Sequence, residues 1–95
     1  MKLSIEEIQR RLSTLPEWTI TGGKLHREYQ FPGFALAIGF IAAAAPAIEK
    51  MDHHPEWSNV YNRVTVDLIS HDAGGITERD FRLAGVLEEI ARRLL

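Results

Sequence analysis

The feature that most constrains the fold is an uncharged stretch of 18 residues from Phe31 to Ile48. This length reaches the lower limit for a membrane-spanning helix. However, the stretch contains seven alanines, two prolines and two glycines, which gain little from transfer into lipid. We therefore expect no membrane association. We predict a central helix from about Phe34 to about Met51, buried on more than one face and kinked at Pro46.

Two further helices are predicted at the ends of the chain. Ser4 and Glu7 have the spacing of a capping box, in which each side chain bonds the other residue's amide, and Pro16 ends the first helix. Thr77 caps the last helix, with Asp80 in its first turn. Apolar residues recur at helical spacing in each of these helices. In the first they are Ile5, Ile8, Leu12 and Leu15, and in the last they are Phe81, Ala84, Leu87, Ile90, Ala91 and Leu94.

Four strands fill the remaining segments. Trp18 to Ile20 and Lys24 to Phe31 flank Gly22-Gly23, a hairpin turn, and Trp57 to Tyr61 and Val64 to Ser70 form a second pair. The element order is therefore α-β-β-α-β-β-α. Hairpins imply antiparallel pairing, and helices with one apolar face must cover a sheet. We predict an α+β fold, a four-stranded antiparallel sheet with three helices packed on one face, in a single domain spanning residues 1–95.

Composition excludes several classes of function. Hydrophobic residues make up 45% of the chain and charged residues 25%, as in an ordinary soluble domain. The formal net charge of -2, without a basic run, argues against direct binding of nucleic acid. The absence of cysteine excludes disulfides, thiolate nucleophiles and cysteine-ligated metals. The acidic N-terminus does not resemble a signal peptide, so we expect a cytoplasmic protein, and its small size favours a dimer or tetramer.

Three histidines are candidates for chemistry. His53 and His54 follow the end of the central helix, and His71 follows the last strand, where functional residues often concentrate. Imidazole can donate and accept protons near neutral pH. Spacing alone leaves solvated loop histidines as the simplest interpretation, and a zinc site with nearby carboxylates is a weaker one, because adjacent histidines are an unusual ligand pair. We expect His26 at the surface and Trp57 in the core or stacked on a ligand.

Two segments carry a family resemblance. Glu49 to Asn62, which contains His-His-Pro-Glu-Trp, and Ser70 to Asp80, which contains a third histidine and Thr-Glu-Arg-Asp, closely resemble the signature of the pterin-4a-carbinolamine dehydratases. That family is also known as the dimerisation cofactor of a homeodomain transcription factor. The resemblance favours a histidine site over solvated loop histidines.

The resemblance implies dehydration of 4a-hydroxytetrahydropterin to quinonoid dihydropterin and water, in support of tetrahydropterin recycling. It implies histidine acid/base catalysis with no metal and no cofactor. An alternative on the same fold is a non-catalytic interaction module that binds partner helices and acts as a helix-mediated dimerisation cofactor. By the family's pattern, the acid/base pair is His53 and His71, His54 holds the pterin, and the residues that line or orient the pocket are Glu49, Trp57 and Asp80.

Overall fold

The computed structural model describes residues 1–95, and its elements follow the predicted order. The helices are α1 (Ile5–Leu12), α2 (Phe34–Met51) and α3 (Glu78–Arg92); the strands are β1 (Thr19–Thr21), β2 (Lys24–Gln30), β3 (Glu56–Val60) and β4 (Arg63–Leu68). The strands form one antiparallel sheet in the order β1-β2-β4-β3, so β1 and β3 are its edges. The predicted fold class is confirmed.

One face of the sheet carries the core. Leu25 lies opposite Leu68, and Tyr29 opposite Val64, and all four side chains are buried. This follows from the two-residue period of a strand, which sends alternate side chains to opposite faces. The other face is polar. The Gly22-Gly23 turn has φ values of +60° and +78°, as the predicted two-residue hairpin requires.

The two long helices cover the apolar face. The ring of Phe40 on α2 lies 4.9 Å from that of Tyr29, 5.2 Å from that of Phe31 and 6.3 Å from that of Trp57, measured between centroids. Burying a side chain of this size contributes roughly 1.5–3 kcal/mol. Helix α3 completes the core with five apolar side chains: Phe81, Leu83, Ala84, Leu87 and Ala91.

Helix α2 has the predicted bounds but not the predicted burial. It buries a single stripe, made of Ala37, Phe40, Ala44 and Ile48. The expectation of burial on more than one face was wrong, because α2 packs mainly against α3 and the sheet and leaves Phe34, Leu36 and Ile38 exposed. The helix continues through Pro46. By length and composition α2 could also cross a membrane, and it is the only helix in the structure of which this is true.

Helix α1 is peripheral. It buries no residue fully, and it ends at Leu12, before Pro16 is reached. The Ser4 side chain accepts the Glu7 amide as predicted. The reciprocal half of the capping box is absent, because the Glu7 carboxylate is held instead by Arg10 and Arg11.

Candidate active site

His53 is placed by the abrupt end of α2. Asp52 adopts a left-handed conformation with φ of 50°, which ends the helix, and Pro55 prevents it from resuming. The His53 side chain is turned into the protein and is buried, with 8% of the residue exposed. Its Nε2 lies 2.6 Å from Oδ1 of Asp80 in the first turn of α3.

Asp80 is fully buried and binds three donors. Besides His53, its carboxylate accepts hydrogen bonds from the Ser70 hydroxyl at 2.9 Å and from the backbone N–H of Thr77 at 2.8 Å. The last contact is half of a capping box at the start of α3. Asp80 therefore both caps the helix and orients His53. Since protein donors enclose the carboxylate, the structure favours this orienting role over direct contact with a ligand.

The carboxylate also determines which nitrogen of His53 is free. With the Asp80 carboxylate as the acceptor, Nε2 of His53 is the donor and Nδ1 is left as the second functional atom. This Nδ1 makes no hydrogen bond within the protein. Every side-chain nitrogen or oxygen that is shielded from solvent does have a hydrogen-bond partner, so Nδ1 is not one of the shielded atoms. The Nδ1 atom is therefore in contact with solvent, where it can exchange a proton.

Ser70 is a member of this network that the sequence interpretation missed. Its hydroxyl is buried between Thr77 Oγ1, at 2.7 Å, and Asp80. A signal was present. The buried alternation of β4 at Val64, Val66 and Leu68 continues to Ser70, which places a polar residue at a core position, where it needs a hydrogen-bond partner.

His71 opens a short 3₁₀ helix (His71–Ala73) directly after Ser70 and is largely exposed. Its Nε2 lies 2.9 Å from Oε2 of Glu56, and the other oxygen of Glu56 binds Nζ of Lys24. Hydrogen bonds from Lys24 and then His71 lower the pKa of the Glu56 carboxyl. Glu56 is thus an ionised acceptor, so Nε2 of His71 donates and its Nδ1 is free. Neither Glu56 nor Lys24 was among the predicted site residues.

Both histidines lie at one end of the sheet. The start of β3 and the end of β4 are neighbours, since Glu56 pairs with Asp67 in their antiparallel register. Ser70, adjacent to His71 in the chain, reaches the same carboxylate that holds His53. The end of α2, the start of β3, the end of β4 and the start of α3 therefore meet in one region.

The other predicted site residues have fewer contacts. His54 and Glu49 are exposed, and neither side chain makes a hydrogen bond. Trp57 is half-buried, and its ring meets that of Phe40 edge-on at 69°, so part of it belongs to the core. His26 is half-buried on the polar face of the sheet, where its Nδ1 lies 2.8 Å from a carboxylate oxygen of β4.

The histidine region is an open surface. The structure has two cavities, of about 440 and 430 Å³, and both adjoin α1 and β1 without a histidine in their walls. The surface beside His53 and His71, which we call the shelf, therefore lies outside both cavities. No three histidine or carboxylate side chains are grouped so that they could hold a metal ion.

Comparison with known proteins identifies the family. The model of the pterin 4 alpha carbinolamine dehydratase family matches residues 1–90. A protein of Solibacter usitatus (strain Ellin6076) is 57% identical over 90 residues, which cover 95% of each chain. One of Chelativorans sp. (strain BNC1) is 47% identical over 94 residues, which cover 97% of this chain and 96% of the relative. Both are provisionally named pterin-4-alpha-carbinolamine dehydratase.

Solved structures show the same fold. A transcriptional coactivator/pterin dehydratase from Brucella melitensis superposes with a TM-score of 0.92 at 41% identity, covering 96% of this chain and 99% of that one. A pterin dehydratase-like protein identified as a RuBisCO assembly factor in the α-carboxysome has a TM-score of 0.68 at 22% identity, covering 79% of this chain and 89% of that one, and shares the fold alone. The architecture is thus that of a pterin dehydratase. The chain belongs to the pterin-4a-carbinolamine dehydratase family.

Proposed function

We propose that the protein is a 4a-hydroxytetrahydropterin dehydratase that works by histidine acid/base catalysis. The observation that carries the proposal is the pair of histidine–carboxylate contacts at one end of the sheet. In each pair the carboxylate fixes the ring and leaves Nδ1 free. Two such groups that come from different elements can act on different atoms of one flat substrate.

The reaction needs one acid and one base. The bond between C4a and the hydroxyl oxygen breaks as the electron pair of N5 forms a C4a–N5 double bond. The leaving hydroxyl takes a proton from the acid and departs as water, and the base collects a proton from the ring nitrogen. The substrate supplies the electron pair for the new double bond. The acid loses one proton and the base gains one, so the number of protons on the protein is unchanged. The proposed route therefore involves no metal and no cofactor.

The proposed roles combine the family's pattern with the positions of the side chains. His53 and His71 form the acid/base pair, and Asp80 orients His53 from inside the protein. Exposed His54, in the extended conformation that Pro55 imposes, contacts the pterin. Glu49 and the exposed part of Trp57 border the shelf. We place the enzyme in the cytoplasm as a homo-oligomer that supports recycling of tetrahydropterins.

The enzyme is favoured over the interaction module proposed from the same fold. A module that only binds partner helices has no need for two histidines held by carboxylates. The assembly factor that shares the fold is too distant in sequence to transfer its role to this chain.

Steady-state kinetics of histidine variants test the proposal. We expect His53→Ala and His71→Ala each to lower kcat by about 10²–10⁴-fold with little change in KM, the usual contribution of an acid/base group. His54→Ala should mainly raise KM. The double variant of His53 and His71 should approach the uncatalysed rate. His26→Ala, which removes a histidine from the polar face of the sheet, is the matched control and should keep normal kcat. Near-normal kcat in both single acid/base variants would refute these roles.

A further inference from the structure

We propose that Glu56 and Lys24 together act as a positioning device that selects the tautomer of His71. The inference rests on the proposed function, because it concerns how one of the two proposed acid/base groups is prepared for proton transfer. Neither residue is placed in contact with the substrate.

The geometry divides the two oxygens of Glu56 between two partners. Oε2 accepts from Nε2 of His71 at 2.9 Å, and Oε1 accepts from Nζ of Lys24 at 2.5 Å. Lys24 belongs to β2 and Glu56 to β3, so the lysine side chain reaches across β4, which lies between them. The contact therefore depends on the assembled sheet and cannot form within one hairpin.

Lys24 fixes the orientation of the Glu56 carboxylate, whose two oxygens are both acceptors. An ammonium group only donates hydrogen bonds, so it must face an acceptor, and it holds one oxygen of Glu56 in place. The remaining oxygen then faces His71 and is also an acceptor. The histidine can meet it only with an N–H at Nε2, which leaves the lone pair of neutral His71 on Nδ1. The hydrogen bond to Glu56 correspondingly raises the pKa of Lys24, which keeps it charged.

The same logic predicts what happens when Glu56 becomes glutamine. Lys24 would take the amide oxygen, and the amide NH₂ would be presented to His71. A donor facing Nε2 favours the opposite tautomer, with the proton on Nδ1 and the lone pair on Nε2. Removing Lys24 from this variant would let the amide rotate and offer its oxygen to His71 again.

The test is ¹⁵N NMR of the histidine rings at a pH where they are neutral, with kinetics on the same samples. We expect the Nε2–H tautomer of His71 in the unsubstituted protein, the Nδ1–H tautomer in Glu56→Gln, and the Nε2–H tautomer again in Glu56→Gln/Lys24→Met. The kcat of Glu56→Gln should fall roughly 10–100-fold, the loss seen when an outer partner that orients a metal-bound imidazole is removed, and recover in part in the double variant. If Glu56 only stabilised the structure, the additional replacement of Lys24 would not restore kcat.

Glu28→Gln is the matched control, since Glu28 lies on the same polar face and its carboxylate makes no hydrogen bond or ion pair. The exposed pairs of Glu56 add little to stability, so the variants should fold. An unchanged His71 tautomer and a normal kcat in Glu56→Gln would overturn the inference. If the unsubstituted protein lacks dehydratase activity, the proposed function fails, while the NMR result still decides whether Glu56 and Lys24 set the tautomer.

Discussion

The carboxylate of Asp80 joins three parts of the chain that are distant in sequence. His53 follows α2, Ser70 follows β4 and Thr77 precedes α3, and all three donate to this one buried group. This buried acceptor is costly to remove, because Nε2 of His53 and the N–H of Thr77 have no other hydrogen-bond partner in the protein. The stability of the start of α3 and the orientation of His53 therefore depend on the same carboxylate atoms.

Replacing Asp80 with asparagine tests this dual role. The Thr77 N–H can only donate, so it will bind the single oxygen of the new amide. The amide NH₂ will then face Nε2 of His53. The ring should then hold its proton on Nδ1, the nitrogen proposed to act on the substrate. We expect kcat to fall at least about 100-fold, since an amide in the same position in a hydrolase triad costs about 10⁴-fold, and stability to fall by roughly 1–3 kcal/mol.

Kinetics and thermal unfolding of Asp80→Asn measure both effects. Asp72→Asn is the control, because Asp72 is an exposed aspartate whose pKa is lowered by a hydrogen bond from Arg79 and whose side chain makes no hydrogen bond to His53 or His71. A normal kcat in Asp80→Asn would mean that the tautomer of His53 is irrelevant to the reaction.

The side chains of the site could be predicted only in part. The segments Glu49 to Asn62 and Ser70 to Asp80 made His53, His71 and Asp80 candidates, because the family resemblance rests on local motifs that contain them. The partnership of Glu56 with Lys24 could not be anticipated. It depends on strand order and register, which place β2 and β3 on either side of β4.

At the scale of elements, Glu88 ties the sheet to α3. Its Oε1 accepts hydrogen bonds from Trp18 Nε1 at 2.9 Å, Arg27 Nε at 3.0 Å and Tyr29 OH at 2.8 Å. Partial burial alone would raise the pKa of Glu88, but hydrogen bonds from Tyr29, Arg27 and Trp18 outweigh it and the pKa is lowered from its ordinary value of 4.5. The ionised form of Glu88 therefore stabilises the folded state.

This contribution should depend on pH in a defined direction. Because the folded-state pKa is lowered, the stabilisation is complete above the ordinary value of 4.5 and is lost as the pH falls through the folded-state pKa. We expect Glu88→Gln to reduce stability by roughly 1–3 kcal/mol at pH 7, with the difference from the unsubstituted protein shrinking in acid. Denaturant unfolding at several pH values checks this, with the exposed neighbour Glu89→Gln as control. A difference that is constant down to pH 3 would contradict it.

The elements themselves were largely predictable. The bounds of α2 follow from Pro32-Gly33 before it and from His-His-Pro after it, both of which are local signals. Its burial was not predictable, because an alanine-rich uncharged sequence fits either a fully surrounded helix or one with an uncovered face. The arrangement of the other helices decides between these, and it is a property of the tertiary fold.

At the scale of the whole molecule, the uncovered face of α2 predicts self-association. Phe34 and Ile38 are 52% and 41% exposed on a helix face without charge. Apolar surface of this kind usually lies in an interface. We expect at least a dimer by light scattering at micromolar concentration. Ile38→Glu should shift the protein toward smaller species, whereas Gln9→Glu, which adds the same charge on α1, should not. A monomer for the unsubstituted chain would refute the prediction.

The rate at which a 4a-hydroxytetrahydropterin is dehydrated is the decisive test of the proposed function. The measurement follows the ultraviolet absorbance of freshly generated 4a-hydroxytetrahydropterin with and without purified protein, in buffer that contains a metal chelator. We expect the substrate to decay well above its spontaneous rate, in proportion to protein concentration, and we expect this acceleration to be lost in the double variant His53→Ala/His71→Ala. Decay at the spontaneous rate in the presence of the unsubstituted protein would contradict the proposed function.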